Sequence, residues 1–100
     1  MKKYRFTPQA KADLFDIWNF IARDSREAAD RVEAAIFRSC DLLSDSPLMG
    51  QTRKDLTPLS LRFWVVHPYR NYLIVYDPAN QPLRIIRILH GARHVASLLT

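Results

Sequence analysis

The sequence predicts an α+β fold, in the order β-α-α-β-β-β, with a helical hairpin packed on a mostly antiparallel sheet. Three observations predict it. In the first half, apolar residues recur at helical spacing. The second half is instead dense in aromatic and β-branched residues between turn signals. A polar connector over residues 44–60 divides the two. Runs of helix followed by runs of strand define the α+β class.

Tyr4-Arg5-Phe6 alternates and predicts a short edge strand. Thr7 then reads as a helix N-cap and Pro8 as the first helical residue, where its missing N–H costs nothing. Ala10, Leu14, Ile17, Trp18 and Ile21 form one apolar stripe. Asp13, Asp16, Asn19 and Arg23 fall mostly on the opposite, solvated side. Asp24 with Glu27 three residues on predicts a capping-box start for a second helix. The second stripe is Ala28/Ala29, Val32, Ala35/Ile36, Ser39/Cys40 and Leu43, and Pro47 ends it. The short Asp24-Ser25 break makes an antiparallel hairpin the simplest arrangement.

The 44–60 connector carries turn residues and a basic pair, Arg53-Lys54. It is long for a small domain, and such loops are often functional. Three strands are predicted after it, over residues 61–67, 72–77 and 83–89, separated by turns at 68–71 and 78–82. The middle one is nearly all apolar, as expected of a central strand covered on both faces. The two-residue period of the last places Arg84 and Arg87 on opposite faces. Residues 90–94 and an apolar tail, 95–100, follow.

A length of 100 residues predicts one domain over 1–100. With 48% hydrophobic and 25% charged residues, wholesale disorder is excluded. No apolar run approaches the ~18 residues of a spanning helix. The basic start lacks an apolar stretch behind it, so no secretory leader is expected. One cysteine, Cys40, excludes an internal disulfide framework and points to the cytoplasm. The net charge is +5, and its placement matters more than its size. Residues 1–50 are neutral, with eight basic and eight acidic side chains. Residues 51–100 hold seven basic side chains against Asp55 and Asp77 alone, and all three histidines. Such a one-sided field favours an acidic partner.

Most catalytic chemistries find no support in these residues. Cys40 sits on the core stripe, where a small buried hydrophobe is the simpler reading. His90 and His94 are four apart, but Gly91 intervenes and no thiolate or carboxylate is near, so no metal or other cofactor is expected. Two glycines cannot build a phosphate loop. The acids belong to solvated helix faces. What remains is a basic set, Arg53, Lys54, Arg62, Arg87, His90, Arg93 and His94, which could converge on one face of the sheet. Guanidiniums clamp phosphates and histidine exchanges protons near neutral pH, so the set suits RNA cleavage without metal, or binding alone. Separately, Phe15, Phe20, Phe37 and Trp64 exceed what one small core holds. An exposed apolar patch is expected, and with it a protein partner whose helix lies in a groove.

The ordered motifs Tyr4-Arg5-Phe6-Thr7-Pro8-Gln9-Ala10, Ser46-Pro47-Leu48-Met49-Gly50, Leu61-Arg62-Phe63, Asn71-Tyr72-Leu73-Ile74-Val75-Tyr76 and Arg87-Ile88-Leu89-His90-Gly91-Ala92-Arg93-His94 resemble the RelE/ParE toxins of bacterial type II toxin–antitoxin operons. The last motif is similar to the ParE-branch ending, with His94 where an Asp commonly stands. The resemblance implies the β-α-α-β-β-β fold and a toxin neutralised by a cognate antitoxin. It also implies one of two activities, inhibition of DNA gyrase in the ParE branch or ribosome-dependent mRNA cleavage in the RelE branch. Cleavage would draw on Arg62, Arg87, His90 and His94, and only there, or through an antitoxin on operator DNA, is nucleic acid a partner. Phosphate contacts dominate RNA binding, and the basic set is small, so gyrase inhibition is the preferred reading. The surface expected to meet target or antitoxin comprises Arg53, Lys54, Trp64, Arg84, Arg87 and Arg93. A degenerate toxin that only binds its antitoxin is a third reading.

Overall fold

The computed structural model describes residues 3–91. Its elements are β1 (Tyr4–Phe6), α1 (Pro8–Ala22), α2 (Arg26–Asp45), β2 (Gln51–Thr52), β3 (Arg62–Val65), β4 (Tyr72–Asp77) and β5 (Leu83–His90). Two helices pack on one five-stranded sheet of order β1-β5-β4-β3-β2. β1 runs parallel to β5, and every other pairing is antiparallel. No described helix is long and apolar enough to cross a membrane.

Thr7 caps α1 as its sequence predicts: its hydroxyl accepts from the Ala10 N–H at 3.1 Å, with Pro8 next. The same hydroxyl donates to the Ile86 carbonyl at 2.7 Å, fastening the helix start to β5. The second cap corrects the expectation. Ser25, not Asp24, caps α2, accepting from the Ala28 N–H at 3.1 Å. The reason lies in α1. The Asp24 and Ser25 N–H groups both still donate to the Ile21 carbonyl, so the chain leaves the first helix only at Ser25. Trp18 Nε1 donates across the hairpin to Asp30 at 2.9 Å.

The predicted α2 stripe is the core. Ala29, Val32, Ala35, Ile36, Ser39, Cys40 and Leu43 are all buried. Val32, Ala35, Ile36, Cys40 and Leu43 join Ile74, Tyr76, Ile85 and Ile88 of the sheet in one cluster. A second cluster, Leu61, Phe63, Val75 and Leu89, occupies the sheet's other face, with Leu56 packed on it. β4 therefore has Ile74 in one cluster and Val75 in the other, both fully buried, which is why it reads as an unbroken apolar run.

Two features depart from the predicted sheet. The 44–60 connector contains β2, a two-residue polar strand paired with β3, so there are five strands rather than four. And β5 carries a bulge. Val75 pairs with Arg87 but Tyr76 with Ile85, leaving Ile86 as the extra residue. A bulge resets the alternation. Arg84 and Arg87, expected on opposite faces, oppose Asp77 and Val75 and so share one.

Candidate functional site

The basic residues singled out by sequence do not gather at one place. Arg62 opposes Tyr76 in β4, on the helix-side face, and His90 opposes Tyr72 on the same face. Four residues of β4 separate those two positions, about 13 Å at ~3.3 Å per residue. Arg87 opposes Val75 on the other face. The convergence considered from the sequence is thus corrected by strand register, which puts Arg62 and Arg87 on opposite faces. Arg93 and His94 lie outside the described residues.

Each described member of the set has its own local task. Arg62 Nη1 donates to the Gly50 carbonyl at 2.6 Å and the Leu48 carbonyl at 3.2 Å. Tyr76 holds the same loop, its hydroxyl accepting the Gly50 N–H at 2.8 Å and donating to the Pro47 carbonyl at 2.6 Å. Burial pushes the Tyr76 phenol up, keeping it a neutral donor. Arg53 forms a two-pronged pair with Asp55, at 2.9 and 2.7 Å, which holds the Asp55 carboxyl below its ordinary range. Lys54 donates to the Pro58 carbonyl at 3.3 Å. His90 is exposed at the end of β5, its ring 5.1 Å from that of Tyr72.

Arg87 is the most committed of them. Its Nε and Nη2 donate to the two carboxylate oxygens of Asp13 at 2.7 and 2.8 Å. Asp13 Oδ2 also accepts the Ile88 N–H at 3.0 Å. Its side chain is only 14% exposed, against 20% for Arg87. Asp13 is therefore no solvated face charge, as helical spacing suggested. Among the described residues, β5 has no strand on its β1 side beyond Ile85, and the Asp13 carboxylate takes an edge N–H there.

The apolar surplus divides as the aromatic count predicts. Phe15 and Phe20 on α1 are each 68% exposed. Arg23 lies 5.8 Å over the Phe20 ring. Phe37 is half-buried and stacked on Phe6, and Trp64 is half-buried against the helix-side core. A second exposed group stands at the β2 edge. Leu48, Met49 and Val65 are exposed there, and a cavity of about 300 Å³ opens between Met49, Trp64, His67 and Arg70. Trp64 packs edge-on against His67 at 5.9 Å.

Sequence reasoning did not find Asp13, Gly50, Tyr76 or Arg5. The β1–β5 register places Arg5 directly beside Arg84. Only the register or the folded loop reveals these roles, since every partner is distant in sequence.

A hairpin of helices on a five-stranded sheet, with exposed apolar groups on α1 and at a sheet edge, defines a small protein built to be covered by another. The family model for the ParE toxin of type II toxin–antitoxin system, parDE, matches residues 4–95, and the chain belongs to that family. Among solved structures it is similar to the chromosomal ParDE toxin–antitoxin system from P. aeruginosa. That match has a TM-score of 0.72 at 19% identity and covers 88% of this chain and 94% of the other. Comparison with curated proteins finds no match. The chain is thus a toxin of a type II system, with an antitoxin as its partner.

Proposed function

We propose that this toxin acts in the cytoplasm by binding and inhibiting DNA gyrase, and that its antitoxin neutralises it by covering apolar surface. The observation that carries this reading is the commitment of Arg87 to Asp13 in a two-pronged pair. Acid–base cleavage of RNA needs its groups within hydrogen-bond reach of one phosphate. Arg62 and Arg87 are instead on opposite sheet faces, each holding another part of the fold. A gyrase inhibitor needs contact surface rather than a convergent catalytic set. Leu48, Met49 and Val65 beside Trp64 suit the antitoxin, with Arg70 at the same cavity for an acidic side chain.

The test is direct. Purified toxin is expected to inhibit supercoiling by gyrase, and its expression to cause filamentation and a DNA-damage response before protein synthesis falls. His90→Ala should leave growth inhibition within about twofold, whereas loss of a general acid or base costs on the order of a hundredfold. Cleavage of mRNA in ribosomes with gyrase unaffected overturns the proposal.

A further inference from the structure

Arg5 and Arg84 are register partners on adjacent parallel strands, β1 and β5. Neighbouring strands lie about 4.8 Å apart, so two guanidinium side chains rise side by side from one sheet face. Like charges directly opposite one another are unfavourable in a sheet. Among the described residues, no hydrogen bond or ion pair relieves this pair. Both side chains are exposed. Asp77 opposes Arg84 across the register, in β4, yet its Oδ1 accepts the Ala79 N–H at 3.0 Å and it makes no ion pair with Arg84.

The two arginines open onto a cavity of about 390 Å³, lined also by Thr7, Asn80, Gln81 and Pro82. Among the described residues, no carboxylate lines it. Its side-chain donors are two guanidinium forks and two carboxamides, a set suited to an acceptor with several oxygens and two negative charges. α1 begins at its rim, so the positive end of the helix dipole adds to the same field. The cavity is at the β1 edge, and the apolar group beside β2 is at the opposite edge of the sheet.

We propose that Arg5 and Arg84, with Asn80 and Gln81, form a binding site for a phosphate group. The ligand chemistry is a phosphate ester or phosphate dianion bridging the two guanidiniums. A free phosphate compound and a nucleic-acid backbone share that chemistry. The site is independent of the gyrase reading.

The experiment titrates the full chain with inorganic phosphate at constant ionic strength, followed by nuclear magnetic resonance. Saturable shifts are expected at the Arg5 and Arg84 side-chain N–H groups and the Asn80 and Gln81 carboxamides, and none with chloride. Arg5→Gln or Arg84→Gln should each weaken phosphate binding at least tenfold, because a single fork loses the bridging geometry. Arg31→Gln, an exposed change on α2, should not. Either active variant should also melt at a temperature no lower than the parent, since one of two repelling charges is gone. A single-stranded oligothymidylate separates the sources: if it displaces phosphate from these resonances the ligand is a backbone, and if not, a free phosphate compound. Shifts that chloride reproduces, shifts that survive both substitutions, or a lowered melting temperature in both variants would overturn the proposal.

Discussion

The Tyr76 hydroxyl joins two backbone groups of the 47–50 loop, accepting from Gly50 and donating to Pro47. Both partners sit in a loop far upstream, so a strand tyrosine that reads as one more apolar residue is in fact a latch. Tyr76→Phe would leave a buried N–H and a carbonyl without their partner, and is expected to cost about 1–3 kcal/mol in denaturant unfolding. Gly50 explains why the latch closes. A Cβ there would meet the Tyr76 Oη at 2.5 Å and Cε1 at 2.7 Å, and the ring is fully buried and cannot yield. Gly50→Ala should therefore destabilise by a similar amount, about 1–3 kcal/mol. Both changes break the same hydrogen bond, so the double variant should cost clearly less than the sum. Strict additivity would refute the latch.

Between elements, Asp13 does for α1 what a strand would do for a sheet edge, by taking the Ile88 N–H and holding Arg87. Asp13→Asn removes the charge from a largely buried pair and leaves the guanidinium poorly matched. A loss of about 2–3 kcal/mol in unfolding free energy is expected, below the ~3–5 kcal/mol of a fully buried pair because neither side chain is fully covered. A change under about 0.5 kcal/mol would mean that the pair behaves like a surface one. Where a single face decides burial, the elements were legible in the sequence: the α2 stripe, the α1 cap, and β4 with its two covered faces. Where the deciding contact is remote, they were not. Gln51-Thr52 has no apolar signature and becomes a strand only because β3 offers a ladder. The Ile86 bulge sits between Arg84 and Arg87 with no glycine or proline to mark it. Asp24 and Ser25 are both good capping residues, and the last turn of α1 chooses between them. The same logic scattered the candidate site, because the faces that Arg62, Arg87 and His90 occupy are set by register.

At the scale of the whole molecule, burial and Asp41 together set a limit at high pH. Burial first, then the neighbouring Cys40 and Asp41, push the Tyr4 phenol up to about 12. Burial, with Asp41, pushes the Cys40 thiol up to about 12 as well. In the unfolded chain these groups lose their protons near their ordinary values, 10.0 and 9.0. The unfolded state then binds fewer protons than the native one, so stability falls as pH rises. Melting temperature should hold up to about pH 9 and decline toward 12, and a flat profile over that window would contradict the burial of both groups. A last consequence concerns synthesis. β1 leaves the ribosome early, but its sheet partners are Leu83, Arg84 and Ile85, and the donors to Asp13, Arg87 and Ile88, come later still. Long-range closures of this kind come late in folding, because the intervening chain must first be available. Translation interrupted before residue 83 therefore yields a fragment whose first strand has nothing to pair with. The sheet closes only in chains read past that point, which puts a built-in delay between the first codon and the first folded molecule.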